Sequence, residues 1–281
     1  MGTASKERNR AAPWLGASVE YVDTAIAPSV RVARIGEGEP LVLINGLGAN
    51  LEMWQPLVRE LAGDRQVIAF DLPGTGRSAR PRRTLRMREL AGVVTALLDH
   101  LDLERPDVLG YSLGGVLAQE LAHRAPHRVR RLVLCATSPG LPSIPPDPLV
   151  SALMLTPARY WSRGLAELIV PIIAGGRTAR DGRALEAGLG LRLEQPPSAL
   201  GYLYQLYALT GWSSHPWIRG VRHPALVMHG DRDPVVPLAN GRYLAQALPH
   251  GRLEVIPGAG HLFLFDEPHS AAPALTSFLA D

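Results

Sequence analysis

Asp107-Val108-Leu109-Gly110-Tyr111-Ser112-Leu113-Gly114-Gly115 runs an apolar segment into a glycine-flanked serine and then into a helix. A G-x-S-x-G sequence set between a strand and a helix forms a nucleophile elbow, a sharp turn that lifts the serine hydroxyl above the carboxyl end of a sheet. Such a turn is crowded, and side chains at Gly110 and Gly114 would meet neighbouring backbone. The helix that follows sets its positive end beside the Ser112 hydroxyl. Five-residue matches arise by chance; the strand–turn–helix setting is what gives this one weight.

Working outward, short apolar runs alternate with amphipathic stretches. Strands are predicted over 30–35, 41–44, 66–70, 107–109, 131–136, 225–229 and 253–256. Helices are predicted over 53–61, 85–101, 112–125, 239–248 and 271–279. Continuous apolar runs between helices mark a parallel sheet covered on both faces, so the expected class is an α/β open sheet.

The alternation is interrupted from 138 to 223, a segment that opens with Pro139, Pro142, Pro145, Pro146 and Pro148. Its helical stretches are broken at Gly175-Gly176 and Pro196-Pro197. It holds most of the Trp and Tyr, which could build either a small core of its own or a lid lining an apolar pocket. The expected organisation is a core of 16–137 and 224–281, an inserted helical cap of 138–223, and a loosely ordered N-terminal segment of 1–15.

Composition excludes several classes. With 281 residues, 46% hydrophobic and 20% charged, the chain is an ordinary globular protein able to bury a large core. A net charge of +3 is too small to argue for a nucleic-acid partner. The single cysteine, Cys135, excludes an internal disulfide and a cysteine-based zinc site. His123 and His127 flank the helix-breaking Pro126 without a helpful carboxylate, so no metal or other cofactor is expected. The polar first ten residues are not followed by a secretory apolar run, and Lys6 stands where a myristoylation signal needs Ser or Thr. The longest apolar stretch, 165–174, is interrupted by Glu167 and Pro171 and is too short to span a bilayer. A cytoplasmic protein without a transmembrane segment is expected.

A serine hydroxyl is a weak nucleophile at neutral pH and needs a base that a third group orients. The strand at 225–229 runs into Gly230-Asp231-Arg232-Asp233-Pro234, and that at 253–256 into Pro257-Gly258-Ala259-Gly260-His261. Acid and base would therefore stand just past strand carboxyl ends, where open α/β sheets place their sites. The order Ser112, Asp233, His261 is the one expected for an elbow of this kind. Asp233 is taken as the acid, with Asp231 capping its turn. The strand at 41–44 ends in Asn45-Gly46-Leu47-Gly48-Ala49-Asn50, a loop that could serve only as a turn. It could also converge N–H groups on a developing oxyanion, with the N–H groups of Leu47 and Leu113 as candidates.

From about residue 30 onward the chain resembles serine hydrolases of the α/β-hydrolase superfamily, through these segments and Asp71-Leu72-Pro73-Gly74-Thr75-Gly76-Arg77-Ser78. Within that superfamily it resembles the intracellular poly(3-hydroxyalkanoate) depolymerases. The more particular matches are Asn45-Gly46-Leu47-Gly48-Ala49-Asn50-Leu51-Glu52, Thr156-Pro157-Ala158-Arg159-Tyr160, Tyr204-Gln205-Leu206, Gly211-Trp212-Ser213-Ser214 and His261-Leu262-Phe263-Leu264. It departs at Leu113, where an aromatic is usual, and over 188–199.

The resemblance implies an α/β-hydrolase fold with a helical cap, and acyl transfer through Ser112 to an ester of an aliphatic acid or hydroxyalkanoate. General carboxylesterase or lipase chemistry, cofactor-free haloperoxidase-like or C–C bond hydrolysis, and a non-catalytic binding role are the alternatives. Dehalogenase and epoxide hydrolase chemistry would need Asp at 112. Asn45, Gly46, Tyr111, Met154, Tyr160, Trp161, Trp212 and Leu262 are expected at the substrate, with Leu155, Ile169 and Ile172 helping to hold an acyl chain. The 138–223 segment carries eight arginines against five acids, a positive excess that could dock on a polymer-granule surface.

Overall fold

The computed structural model describes residues 14–281. Eight strands form one sheet: β1 (Ser18–Val22), β2 (Val30–Ile35), β3 (Pro40–Ile44), β4 (Gln66–Phe70), β5 (Asp107–Tyr111), β6 (Leu132–Cys135), β7 (Ala225–Gly230) and β8 (Gly251–Ile256). Their order is β1-β2-β4-β3-β5-β6-β7-β8. From β4 to β8 every pairing is parallel, and β1 and β2 add an antiparallel edge. Helices α1 (Gln55–Leu61), α2 (Met87–His100) and α3 (Leu113–Arg124) connect the early strands. Between β6 and β7 lie α4 (Pro148–Leu155), α5 (Arg163–Ala174), α6 (Gly182–Glu194) and α7 (Ala199–Leu209). The chain finishes with α8 (Leu238–Ala247), α9 (Phe263–Asp266) and α10 (Pro268–Ala280).

Side-chain alternation along the strands divides the core into two layers. Val42, Ile44, Val108, Leu132 and Leu134 pack with α2, α3 and α8 on one face. Leu41, Leu43, Leu109, Val133 and Cys135 pack with α1, α9 and α10 on the other. All positions of β5, β6 and β7 are buried, which is why their sequences read as unbroken apolar runs. The sequence order reverses between β3 and β5, because β4 lies on one side of β3 and β5 on the other. Loops leaving such a switch point diverge and leave a crevice.

Expected and observed elements agree closely, with one strand missed. β1 is an edge strand, Ser18-Val19-Glu20-Tyr21-Val22, with only Val22 buried, so its sequence carries little apolar signal. Residues 1–13 of the expected loose N-terminal segment lie outside the described residues. Trp14 and Leu15 belong to a short 3-10 turn, and the Trp14 indole is buried against the α1 side of the sheet. No helix among the described residues is long and apolar enough to cross a membrane.

The Asp71–Ser78 loop is fastened from within. Asp71 accepts from the Leu51 and Arg77 N–H groups at 2.7 and 2.9 Å, and its backbone oxygen accepts from Ser78 Oγ. Buried Arg31 bridges Glu52 at 2.7 Å and Asp71 at 3.4 Å. Burial nevertheless raises the Asp71 carboxyl to about 6, against the opposing pull of Arg31. The network ties the Asn45–Glu52 loop to the loop after β4 on the rim of the crevice.

Candidate active site

Ser112 stands between β5 and α3 with φ 53° and ψ −117°, a strained conformation for a residue with a side chain. Close packing enforces it. A Cβ on Gly114 would lie 2.0 Å from the Ile44 carbonyl oxygen, so the first turn of α3 presses directly on the end of β3. Ser112 N–H donates to Cys135 O at 2.9 Å, and Thr137 Oγ1 donates to Ser112 O at 2.7 Å. The elbow is thus held from β6 as well.

Ser112 Oγ is 3.2 Å from His261 Nε2, and His261 Nδ1 is 2.8 Å from Asp233 Oδ2. The other Asp233 oxygen accepts from the Val235 and Val236 N–H groups, each at 2.8 Å. With both oxygens engaged the carboxylate has one orientation, and its contact with Nδ1 leaves Nε2 facing the hydroxyl. The loop carrying His261 is fixed from α5, where Ala174 O accepts the His261 N–H at 2.7 Å. Asp231 stays outside this line and accepts from the Gly258 N–H at 2.7 Å, joining the acid and histidine loops. Behind Asp233 lies His229, whose Nε2 donates to Val236 O at 2.7 Å. Burial lowers the His229 pKa, against the opposing pull of Asp233.

Hydrogen bonding singles out one donor in the loop after β3. Gly46 N–H goes to Asn45 Oδ1, Gly48 N–H to Gln205 Oε1 and Ala49 N–H to Gly46 O. Among the described residues the Leu47 N–H has no such partner. Leu113 is the first residue of α3, where an amide has no intrahelical acceptor. These are the two donors that the sequence nominates, and Leu47 lines a cavity that Ser112 and His261 also line.

Of the side chains expected at the substrate, the cavity gathers Gly46, Tyr111, Met154, Tyr160 and Leu262. Three others are elsewhere. Trp161 is half exposed and donates through Nε1 to Pro197 O, tying the turn before α5 to the loop between α6 and α7. Trp212 packs edge-on to Trp217 and donates to Glu120 Oε2, on the outer side of α3. Asn45 is buried beneath the loop, donating to Asn50 O and accepting from Gly46 N–H, so it shapes the loop and does not face the cavity. Leu155 and Ile172 are exposed, and Ile169 packs in a satellite core with Val150, Ile173 and Val235.

Helical phase explains the misses: Val170 and Ile173 of α5 face the cavity while Ile172 faces out. Sequence reasoning also passed over Ala49, Met53, Arg159 and Arg192 in the lining. Arg159 and Gln205 lay within family-like segments, the one signal available for them. His123 stacks on Trp217 with centroids 4.2 Å apart.

A hydroxyl–imidazole–carboxylate line at hydrogen-bond spacing, with Leu47 lining the same cavity, is suited to nucleophilic attack on a carbonyl. The chain belongs to the alpha/beta hydrolase fold family, which it matches over residues 39–268. Among characterised relatives it is 39% identical over 268 residues to the poly(3-hydroxyalkanoate) depolymerase of Ectopseudomonas oleovorans, covering 95% of this chain and 93% of that protein. It is 29% identical to 3-oxoadipate enol-lactonase 2 of Acinetobacter baylyi, covering 89% of this chain and 93% of the relative. The enol-lactonase from Burkholderia xenovorans LB400 superposes with a TM-score of 0.81 at 25% identity, over 93% of this chain and all of that structure.

Proposed function

We propose that the protein is a serine carboxylic ester hydrolase that works through an acyl-enzyme and acts on hydroxyalkanoate esters. The observation that carries the mechanism is the line Ser112 Oγ–His261 Nε2 at 3.2 Å and His261 Nδ1–Asp233 Oδ2 at 2.8 Å. His261 takes the Ser112 proton as Oγ attacks the ester carbonyl, and Asp233 stabilises the imidazolium that forms. The Leu47 and Leu113 N–H groups receive the oxyanion of the tetrahedral intermediate; one such donor is worth about 3–4 kcal/mol in the transition state. His261 then protonates the leaving alkoxide. A water, deprotonated in turn by His261, attacks the acyl-enzyme and releases the acid.

The substrate class rests on the depolymerase relative and on the cavity. Met53, Met154, Val170, Ile173 and Leu262 give it an apolar wall suited to an alkyl side chain. Its volume is about 40 Å³, room for a few water molecules. Residues 138–223 act as a lid over a core of 16–137 and 224–281, with Met154, Tyr160, Val170 and Ile173 closing one side of this cavity. The lid also favours docking on a polyester granule by apolar contact. Leu149, Leu155, Trp161, Leu165, Leu168 and Leu203 are exposed on it, whereas Arg163 is paired with Glu167 and Glu186. A cytoplasmic location goes with this reading, supported by the buried, unpaired thiol of Cys135.

The test is hydrolysis of a ladder of p-nitrophenyl alkanoates alongside soluble 3-hydroxyalkanoate oligomers. Oligomers should be cleaved with kcat/KM at or above that of simple esters of matching chain length. Turnover of simple esters with inert oligomers would reduce the protein to a general carboxylesterase.

A further inference from the structure

Residues 46–49 form a tight turn closed by Ala49 N–H to Gly46 O at 3.2 Å. Gly48, its third residue, has φ +70°, the value of a type II turn. Types I and II differ chiefly in the direction of the central peptide plane, here the one joining Leu47 to Gly48. Two side chains from the 138–223 segment hold that plane. Tyr160 Oη donates to Leu47 O at 2.7 Å, and Gln205 Oε1 accepts from Gly48 N–H at 2.8 Å. The C=O and N–H of a trans peptide point opposite ways, so the two side chains grip one plane from opposite sides.

The grip is built, not incidental. Tyr160 and Gln205 are both buried. A Cβ on Gly48 would lie 2.8 Å from the rings of Tyr160 and Tyr202, so glycine is what lets the two rings close on the turn. Arg159 lies over the Tyr160 ring at 4.8 Å and is itself anchored on Leu153 O, Thr156 O and Tyr202 Oη.

We infer that Tyr160 and Gln205 are positioning residues for the oxyanion hole, holding the turn in the one form that aims the Leu47 N–H at the reacting carbonyl. The inference rests on the roles proposed above for Ser112 and Leu47. If the central plane could flip, the Leu47 carbonyl would turn toward the Gln205 oxygen and the turn would drift. Displacements of about 1 Å in such a site cost about 100-fold in rate. Because both side chains come from the lid, closing the lid and completing the oxyanion hole become one event.

The test uses Tyr160→Phe, Gln205→Leu and Gln205→Glu, assayed with p-nitrophenyl butyrate. Two inhibitors accompany it: an alkyl trifluoromethyl ketone, which forms an oxyanion adduct on Ser112, and the matching secondary alcohol, which does not. Tyr160→Phe keeps the ring packing, and Gln205→Glu keeps the acceptor.

Tyr160→Phe and Gln205→Leu should each lower kcat about 10-fold, less than removing an oxyanion donor itself, with KM nearly unchanged. Both should weaken the ketone by the same factor and leave the alcohol unaffected, and Gln205→Glu should recover most of the loss. A change confined to KM, a loss of ketone and alcohol affinity in step, or a Gln205→Glu variant as impaired as Gln205→Leu would overturn the inference. Full turnover by Ser112→Ala would instead remove the catalytic reading beneath it, and the inference with it.

Discussion

Replacing Ser112 with alanine is expected to lower kcat for ester hydrolysis by about 10⁴-fold or more while leaving the fold intact. The Oγ is the atom His261 Nε2 faces at 3.2 Å, and alanine leaves the imidazole with no proton to take and no nucleophile to release. What survives is the stabilisation that the Leu47 and Leu113 N–H groups give a water-attacked carbonyl, a small residue of the whole. The backbone strain at φ 53° belongs to the turn and is shared by alanine, so the thermal midpoint should move by only a few degrees. Initial rates on a short p-nitrophenyl ester, read beside a thermal unfolding curve, check both parts.

Gly114→Ala should fail in the opposite manner, damaging stability and activity together. The new methyl would sit 2.0 Å from Ile44 O and 2.6 Å from Asn45 O, both rigid backbone at the mouth of β3. Neither can yield without separating β3 from α3, whose first turn carries the Leu113 N–H. Overpacking of this kind costs about 1–3 kcal/mol, and with backbone as the obstacle the upper end is expected. Moving Leu113 and Leu47 apart by about 1 Å should also cost about 100-fold in kcat. Denaturant unfolding and steady-state kinetics on the same preparation test the pairing. An alanine variant that is both stable and active would show that the elbow is not set by this contact.

The parts of the protein that were readable in the sequence are those where local chemistry and global position coincide. Gly110-Tyr111-Ser112-Leu113-Gly114 needs its glycines because backbone passes within contact distance, and that need is written in consecutive residues. Asp233 follows β7, whose apolar run comes from burial on two faces, whereas His261 follows the edge strand β8, of which only Ile256 is buried, and was legible through the Gly258-Ala259-Gly260 loop and the Ser, Asp, His order. The 138–223 segment was legible only in outline. Its breaks at Gly175-Gly176 and Pro196-Pro197 mark where α5 and α6 end, yet the inward face of each helix depends on packing against the core.

Trp161 and Trp212 drew attention as large aromatics, but each has an indole N–H that finds an acceptor away from the cavity, Pro197 O and Glu120 Oε2. Gln205 is the converse case. Its function depends on a partner 157 residues away, Gly48, and no local pattern announces such a contact. β1 escaped notice because an edge strand with one buried residue in five lacks the signal that betrays its neighbours.

Covalent trapping of the nucleophile addresses the mechanism itself. The protein would be treated with an alkyl fluorophosphonate and the modified peptide located by mass spectrometry, with Ser112→Ala and His261→Ala treated in parallel. The expected result is one adduct per chain on the peptide carrying Ser112, absent in Ser112→Ala and formed far more slowly in His261→Ala. Labelling at another residue, or undiminished labelling of Ser112→Ala, would contradict the assignment of Ser112 as the group that carries the acyl chain.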